Sequence, residues 1–285
     1  MRLPVIYLCI FLAVIIMSTS SIIIRFCSAP ALVIAFYRVL FTSLMAGSLK
    51  GSKLKNSLID IKRRDYLLII RAGFFLALHF AFWTTSLSYT SISSSVLFTN
   101  LQVIFVLLFS IVFLREKLSK LVIGGIMLAL TGSLFIALGD LQTGKFWGDM
   151  LALASGLFIA IYLIIGRKVR THIDAMNYTM LVSIVAALVL FPICWVMNLN
   201  LTNYSSLNWL LFFLLALGPG LLGHGVLNWA LKYVKAPIVA VSILGESVGA
   251  SILAFFIFQE LLQWYQIIGG LLILTGIYIA AANEC

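Results

Sequence analysis

Apolar segments of about 20 residues follow one another along nearly the whole chain. The hydrocarbon core of a bilayer is about 30 Å thick, and a helix of about 20 apolar residues crosses it. The sequence therefore predicts an all-α integral membrane protein with ten transmembrane helices. The predicted segments are 4–24, 31–49, 66–87, 92–114, 121–138, 147–166, 175–197, 207–231, 237–258 and 264–282.

The composition excludes a water-soluble globule. Apolar residues make up 63% of the chain and charged residues 10%, whereas soluble proteins have roughly 45–50% and 25%. A soluble fold has too little interior to bury so much apolar surface. We read the first apolar segment as a retained helix, because it is longer than a typical signal-peptide core and lacks a suitable cleavage site.

Lys and Arg are distributed unevenly among the loops. Sixteen of the nineteen fall on one side if the amino terminus is cytoplasmic, and such a bias sets the orientation of membrane proteins. We therefore expect a multi-pass protein of the cytoplasmic membrane with both termini in the cytoplasm. The basic residues form no continuous face, so the net charge of +10 does not indicate a nucleic-acid partner.

The two halves of the chain resemble each other. HFAFWTTSLSYTS (79–91) matches HGVLNWALKYVKA (224–236), and further matches follow in the same order at offsets of 144 to 145 residues. Each half holds five predicted helices, an odd number, so the second half enters the membrane inverted relative to the first. We expect one repeat at 1–139 and the other at 147–282, an architecture common among secondary transporters.

Three segments carry a resemblance to a known family: IAFYRVLFTSL (34–44), SLSYTSISSSVLFTNLQVIFVLLFSIVFLREKLS (86–119) and GHGVLNWALKYVKAPIVAVSILGESVGASILAFFIFQE (223–260). Through them, nearly the whole chain resembles the drug/metabolite transporter superfamily, specifically proteins built from two EamA-type repeats. The resemblance implies two inverted five-helix bundles around a central cavity. It also implies transport, often outward, of amino acids, other metabolites or toxic compounds.

The chain departs from this family in the middle of helices four and nine. Many members have proline there, where this sequence has Val103 and Ser247. We therefore expect these two helices to be straighter than their counterparts in the family.

Glu246 lies near the middle of the ninth apolar segment, and its repeat partner is Gln102 in the fourth. A charge at the bilayer centre costs about 2.5–3.5 kcal/mol on insertion scales, so it normally faces a cavity or a partner. Glu246 could couple transport to protons, bind a cationic substrate group, or pair structurally with Arg38. Gly245 and Gly249 form a GxxxG motif that would let another helix approach closely.

Other polar or aromatic residues in the apolar segments are candidates for a site. Arg38 could hold a substrate carboxylate, bind backbone carbonyls or pair with Glu246. The histidines are repeat partners that could pack or relay protons, and the asparagines and the tryptophan could line the cavity or bond between helices. The full set of predicted substrate-binding or coupling residues is Glu246, Arg38, Gln102, Asn100, His79, His224, Asn228 and Trp83.

Helix ends and small residues suggest structural roles. Glu116 and Glu260 lie at helix ends beside basic or polar residues, where capping and charge pairing are expected. The pairs Gly124-Gly125 and Gly269-Gly270 predict close packing of helices five and ten, with a monomer and a homodimer both open.

These features favour a secondary transporter of a small metabolite or drug-like solute, with membrane lipid and the substrate as its partners. The sequence has no phosphate-binding loop, no metal-ligand spacing and no cofactor motif. The alternatives are an intramembrane enzyme and a non-transporting receptor or scaffold. An enzyme would need a reactive constellation, and we find no candidate catalytic residues.

Overall fold

The computed structural model describes residues 3–51, 58, 61–86, 88–90, 92–140, 146–259 and 261–284. All regular elements in this part of the chain are helices. They run α1 Leu3–Phe26, α2 Ala31–Lys50, α3 Arg63–Ser86, α4 Ile92–Asn100 and Gln102–Phe109 with a π-helical end Ser110–Leu114, α5 Lys120–Asp140, α6 Phe146–Val169, α7 Ala175–Val196, α8 Ser206–Leu215, Ala216–His224 (π) and Gly225–Ala230, α9 Ala236–Ile243 and Gly245–Phe258, and α10 Trp264–Ala282.

The helices coincide with the predicted apolar segments to within three residues at each end. Eight of them are long and apolar enough to cross a membrane, and the described residues add two shorter apolar helices, Phe98–Leu114 and Lys120–Ile136. Large apolar side chains such as Phe113 and Trp195 are exposed on the outside, as expected for contact with lipid. The membrane-helical fold is thus confirmed, while the count of ten spans stays a prediction.

The core lies between helices that are distant in sequence. α3 packs against α6 and α7, and α2 packs against α7 and α8. The largest fully buried side chains include Tyr162 of α6, Tyr178 of α7 and Phe212 of α8. The core is therefore built from side chains of several helices.

Helices α4 and α9 are each interrupted by one residue, Leu101 and Leu244. The backbone tightens at both, since Ile104 N–H bonds to the Leu101 carbonyl at 3.0 Å and Ser247 N–H to the Leu244 carbonyl at 3.2 Å. Bonds spanning three residues are typical of 3₁₀ turns, which often mark functional hinges within helices. Both residues keep right-handed helical dihedral angles, and whether α4 and α9 are straighter than their counterparts in the family stays a prediction.

α8 contains a π-helical stretch around Pro219 that ends at His224. Proline lacks a backbone N–H, so it disturbs the regular helical pattern. In the same stretch, a Cβ atom on Gly220 would lie 2.3 Å from Thr42 Oγ1, and one on Gly223 would lie 2.4 Å from Met17 Cγ. Glycine therefore lets α8 approach both α1 and α2 closely.

The glycines of α5 and α10 bring these two helices into backbone contact. A Cβ atom on Gly125 would lie 2.7 Å from the Gly276 carbonyl oxygen, and one on Gly132 would lie 2.5 Å from the Gly269 carbonyl oxygen. The predicted close packing of helices five and ten thus occurs within one chain. Gly124, by contrast, points to open space within the described part of the chain.

Gly125→Ala and Gly124→Ala should have opposite effects on stability. The first places a methyl group against the α10 backbone, and overpacking of this kind costs about 1–3 kcal/mol. The second adds only helix propensity, up to about 1 kcal/mol in favour of alanine. Thermal unfolding of the detergent-solubilised protein measures both; equal effects of the two substitutions would contradict this packing.

Candidate functional site

A cavity of about 130 Å³ lies where α4 and α9 are interrupted, between α1, α2, α3, α6 and α8. Seven of the eight predicted site residues line it. Asn228 is the exception, since it lies in an adjacent space of about 20 Å³ that shares Arg38 and His224 with the cavity. The seven lining residues are Arg38, His79, Trp83, Asn100, Gln102, His224 and Glu246.

Gln102 begins the second half of α4, and Glu246 is the second residue of the second half of α9, after Gly245. The Gln102 side-chain oxygen is buried and has no hydrogen-bond partner in the described part of the chain. The Glu246 carboxylate has neither a hydrogen bond nor an ion pair within the described residues. Two hydrogen-bond acceptors at the middle of the cavity are thus left for a ligand, a proton or water.

Arg38 is 5% exposed and makes two contacts beside the cavity. Its Nη1 donates to Ser20 Oγ at 3.2 Å, and its guanidinium carbon lies 4.9 Å from the centre of the Phe80 ring. Among the ion pairs of the described residues, none joins Arg38 to Glu246. The two charges line one cavity while neither neutralises the other by direct contact, so both can act on a third group.

The two histidines differ in how they are held. His79 Nδ1 lies 2.9 Å from Ser155 Oγ and 3.2 Å from the Ser155 carbonyl oxygen, and its ring stacks parallel to Trp83. His224 makes an edge contact with Phe80 and has no hydrogen bond within the described part of the chain. The geometry fits a packing role for His79 and leaves the ring nitrogens of His224 available to the cavity.

The central polar cavity agrees with the resemblance found in the sequence. The chain matches the EamA-like transporter family over residues 4–138 and 146–282. The chain belongs to this family. It is therefore a membrane transporter of the drug/metabolite kind, a class whose members bind small-molecule substrates and lie among lipids.

Curated relatives agree with this assignment. An "Uncharacterized transporter" of Archaeoglobus fulgidus is 26% identical over 282 residues, covering 95% of this chain and 94% of its own. One from Methanothermobacter thermautotrophicus is 26% identical over 234 residues, covering 78% and 66%. A solved crystal structure superposes with a TM-score of 0.84 at 16% identity, covering 99% of this chain and 98% of the other. At this identity the match shows the fold alone.

Asn100 and Asn228 bond between helices of the EamA fold. Asn100 Nδ2 donates to Ser133 Oγ of α5 at 2.9 Å. Asn228 Oδ1 accepts from Tyr162 at 2.7 Å, and its Nδ2 donates to Thr179 Oγ1 at 3.1 Å. Both asparagines therefore bond between helices, while Asn100 also lines the cavity and Asn228 the adjacent space.

The GxxxG motif of α9 packs on α1, next to Glu246. A Cβ atom on Gly249 would lie 2.2 Å from Ser18 Oγ, and one on Gly245 would lie 3.2 Å from Val14 Cγ1. The close helix approach expected beside the carboxylate is therefore made by α1.

Sequence reasoning missed several cavity residues, among them Ser20 of α1 and Ser247 of α9. The available signal was the run of four hydroxyl residues at 18–21, which is unusual within an apolar helix. Ser20 is buried and holds Arg38, so it positions the guanidinium.

Arg167 ties together the ends of three helices on the side predicted to be cytoplasmic. Its Nε lies 2.8 Å from Glu116 Oε1, and its Nη1 donates to the Leu231 carbonyl at 2.6 Å. These contacts, here called the Arg167 latch, agree with the expected charge pairing of Glu116. Glu260, for which the same role was expected, lies outside the described residues.

Arg170 lies beside this latch and reaches the network of Asn228. Its Nε donates to the Asn228 carbonyl at 2.9 Å, while its buried Nη1 has no partner among the described residues. Burial lowers the pKa of the Arg170 guanidinium, and the Asp174 carboxylate opposes this only in part. Arginine nevertheless keeps its charge at physiological pH. A buried cation therefore lies against the backbone carbonyl of Asn228.

Replacing Asn228 with alanine should lower the free energy of unfolding by about 1–3 kcal/mol, because the buried Tyr162 hydroxyl loses its acceptor. Tyr162→Phe should then lower the free energy of unfolding by less in the Asn228→Ala background than in the wild type. The difference, which is the coupling energy of the two side chains, should be about 1 kcal/mol. Chemical denaturation in micelles measures both steps of this cycle. Additive effects would mean that the bond contributes nothing.

Proposed function

We propose that this protein is a secondary transporter that moves a small zwitterionic metabolite, such as an amino acid, across the cytoplasmic membrane by alternating access. In this proposal ten helices form two inverted five-helix repeats around the central cavity, and both termini face the cytoplasm. Export is the proposed direction, and it rests on the family resemblance.

The unpartnered acceptors of Gln102 and Glu246 support a substrate with a protonated amino group. An ammonium group has three donors and would satisfy both acceptors together. Arg38, in the same cavity, offers donors suited to a carboxylate. A zwitterion is the one simple solute that carries both complementary groups, and it enters without changing the net charge of the site.

The size of the cavity favours a small metabolite over a drug-like solute. Pockets for drug-sized ligands measure about 300–1,000 Å³, whereas this cavity measures about 130 Å³. The apolar wall formed by Phe80, Trp83 and Ile159 limits the side chain that the substrate can carry.

Glu246 supports two mechanisms that make different demands on the carboxyl group. As a substrate ligand, it must be ionised while the amino group is bound. As a proton carrier, it must exchange a proton with one side of the membrane and return it to the other, a role typical of acidic residues within membranes. For the cavity to become accessible from the predicted cytoplasmic side, the contacts of the Arg167 latch would have to break.

Flux into sealed vesicles containing the purified protein tests the proposal. We expect saturable uptake of a subset of amino acids from a labelled mixture, with competition by zwitterions and little by the matching amine or carboxylic acid alone. Glu246→Gln should reduce this uptake at least tenfold if the carboxylate binds the amino group. If Glu246 only carries protons, the variant should still take up the amino acid, but a pH gradient should no longer stimulate the uptake.

Asp149→Asn is the matched control, since it removes one carboxylate outside the cavity and leaves an acceptor for Thr90, now bonded to Asp149 Oδ1 at 2.7 Å. It should transport like the wild type. Equal competition by amines, acids and zwitterions would contradict the proposed substrate class, and unchanged flux and pH response in Glu246→Gln would contradict both roles of the carboxylate.

A further inference from the structure

A second, larger cavity of about 580 Å³ opens between the end of α2, the start of α3 and the turn that joins α6 to α7. None of its lining residues lines the central cavity. We call it the basic pocket, because four of the side chains that line it are cationic: Lys50, Lys62, Arg64 and Lys168.

Both acids of the basic pocket are already engaged. Asp174 lies 2.9 Å from Lys50 Nζ and accepts the backbone N–H groups of Met176 and Asn177 at the start of α7. Asp65 lies 2.9 Å from His172 Nε2. Among the described residues, these two carboxylates therefore leave the remaining cations of the pocket without a counter-ion.

Lys62, Arg64 and Lys168 have no ion pair or side-chain hydrogen bond within the described residues. Arg64 lies on α3 with Lys62 just before it, Lys168 lies on α6, and all three line one concave space. An arrangement that brings like charges together costs energy unless an anion joins them. The floor beside them is apolar, formed by Ile61, Leu68 and Ile173.

We infer that the basic pocket binds a phosphate group, carried by the headgroup of an anionic phospholipid or by a soluble phosphate ester. The Arg64 guanidinium matches phosphate geometry by two parallel hydrogen bonds, and the lysines add charge from either side. Basic pockets at the membrane boundary, between helix ends, are suited to lipid headgroups. This site is independent of the proposed substrate and of the cavity that would hold it.

The test measures the thermal unfolding of the full-length protein in a neutral detergent, titrated with short-chain phosphatidylglycerol, short-chain phosphatidylcholine, glycerol phosphate or inorganic phosphate. The wild type should show saturable stabilisation by phosphatidylglycerol and none by phosphatidylcholine. Saturation by glycerol phosphate or inorganic phosphate at equal concentration and ionic strength would identify a soluble ligand; a response to phosphatidylglycerol alone would identify a lipid.

The triple variant Lys62→Gln, Arg64→Gln, Lys168→Gln should weaken this binding by about a hundredfold, since each cation contributes about fivefold. The matched control is Lys117→Gln, Lys120→Gln, Lys232→Gln, which removes the same charge from exposed residues outside the pocket. It should change binding less than about threefold. Lys168→Gln alone should lose about fivefold and provides the test if the triple variant is unstable.

Two results would overturn the inference. One is that neither phosphatidylglycerol nor a soluble phosphate stabilises the wild type more than phosphatidylcholine does. The other is that the control triple variant loses as much affinity as the pocket variant, because binding would then depend on total surface charge. Either lipid-specific or soluble-phosphate binding that is lost with the pocket cations supports the site.

Discussion

The need to satisfy backbone polar groups within a membrane governs the position of the central cavity. In hydrocarbon, irregular backbone is tolerated only where it is buried in protein or lines a polar cavity. Helices α4 and α9 are interrupted at Leu101 and Leu244, and the cavity lies at these interruptions. Gln102 and Glu246 lie within two residues of these positions, and their side chains line the cavity.

Much of the candidate site could be predicted from sequence, because polar residues in apolar helices are rare and conspicuous. Arg38, Gln102 and Glu246 stand out individually, and comparing the halves of the chain relates Gln102 to Glu246. Asn228 is equally conspicuous, but its partners Tyr162 and Thr179 lie on other helices. A sequence gives no distance between helices, so a residue that bonds to neighbouring helices cannot be distinguished from one that faces the cavity.

The interruptions themselves could not be predicted. Leucine favours helices, and neither Leu101 nor Leu244 is proline or glycine, the usual signals for a break. The irregular stretch of α8 is easier to predict from the sequence, because Pro219 lies among the glycines at 218, 220 and 223. Ser20 illustrates a further limit. A serine in a membrane helix often bonds to its own backbone, and only the approach of Arg38 gives this one a partner beyond its helix.

The two cavities have opposite unmet requirements, and the end of α6 lies between them. Among the described residues, the central cavity holds acceptors that have no partner, and the basic pocket holds cations that have none. Lys168 lines the pocket, while its neighbours Arg167 and Arg170 hold the Arg167 latch and the Asn228 carbonyl. An anion in the pocket shifts the opening of the latch only if it contacts the open and closed conformations differently. Because Lys168 shares a helix end with both arginines, any rotation that releases the latch moves one wall of the pocket. Anion affinity and the conformational equilibrium would then be coupled reciprocally, through a displacement of one helix end and without contact between the two ligands.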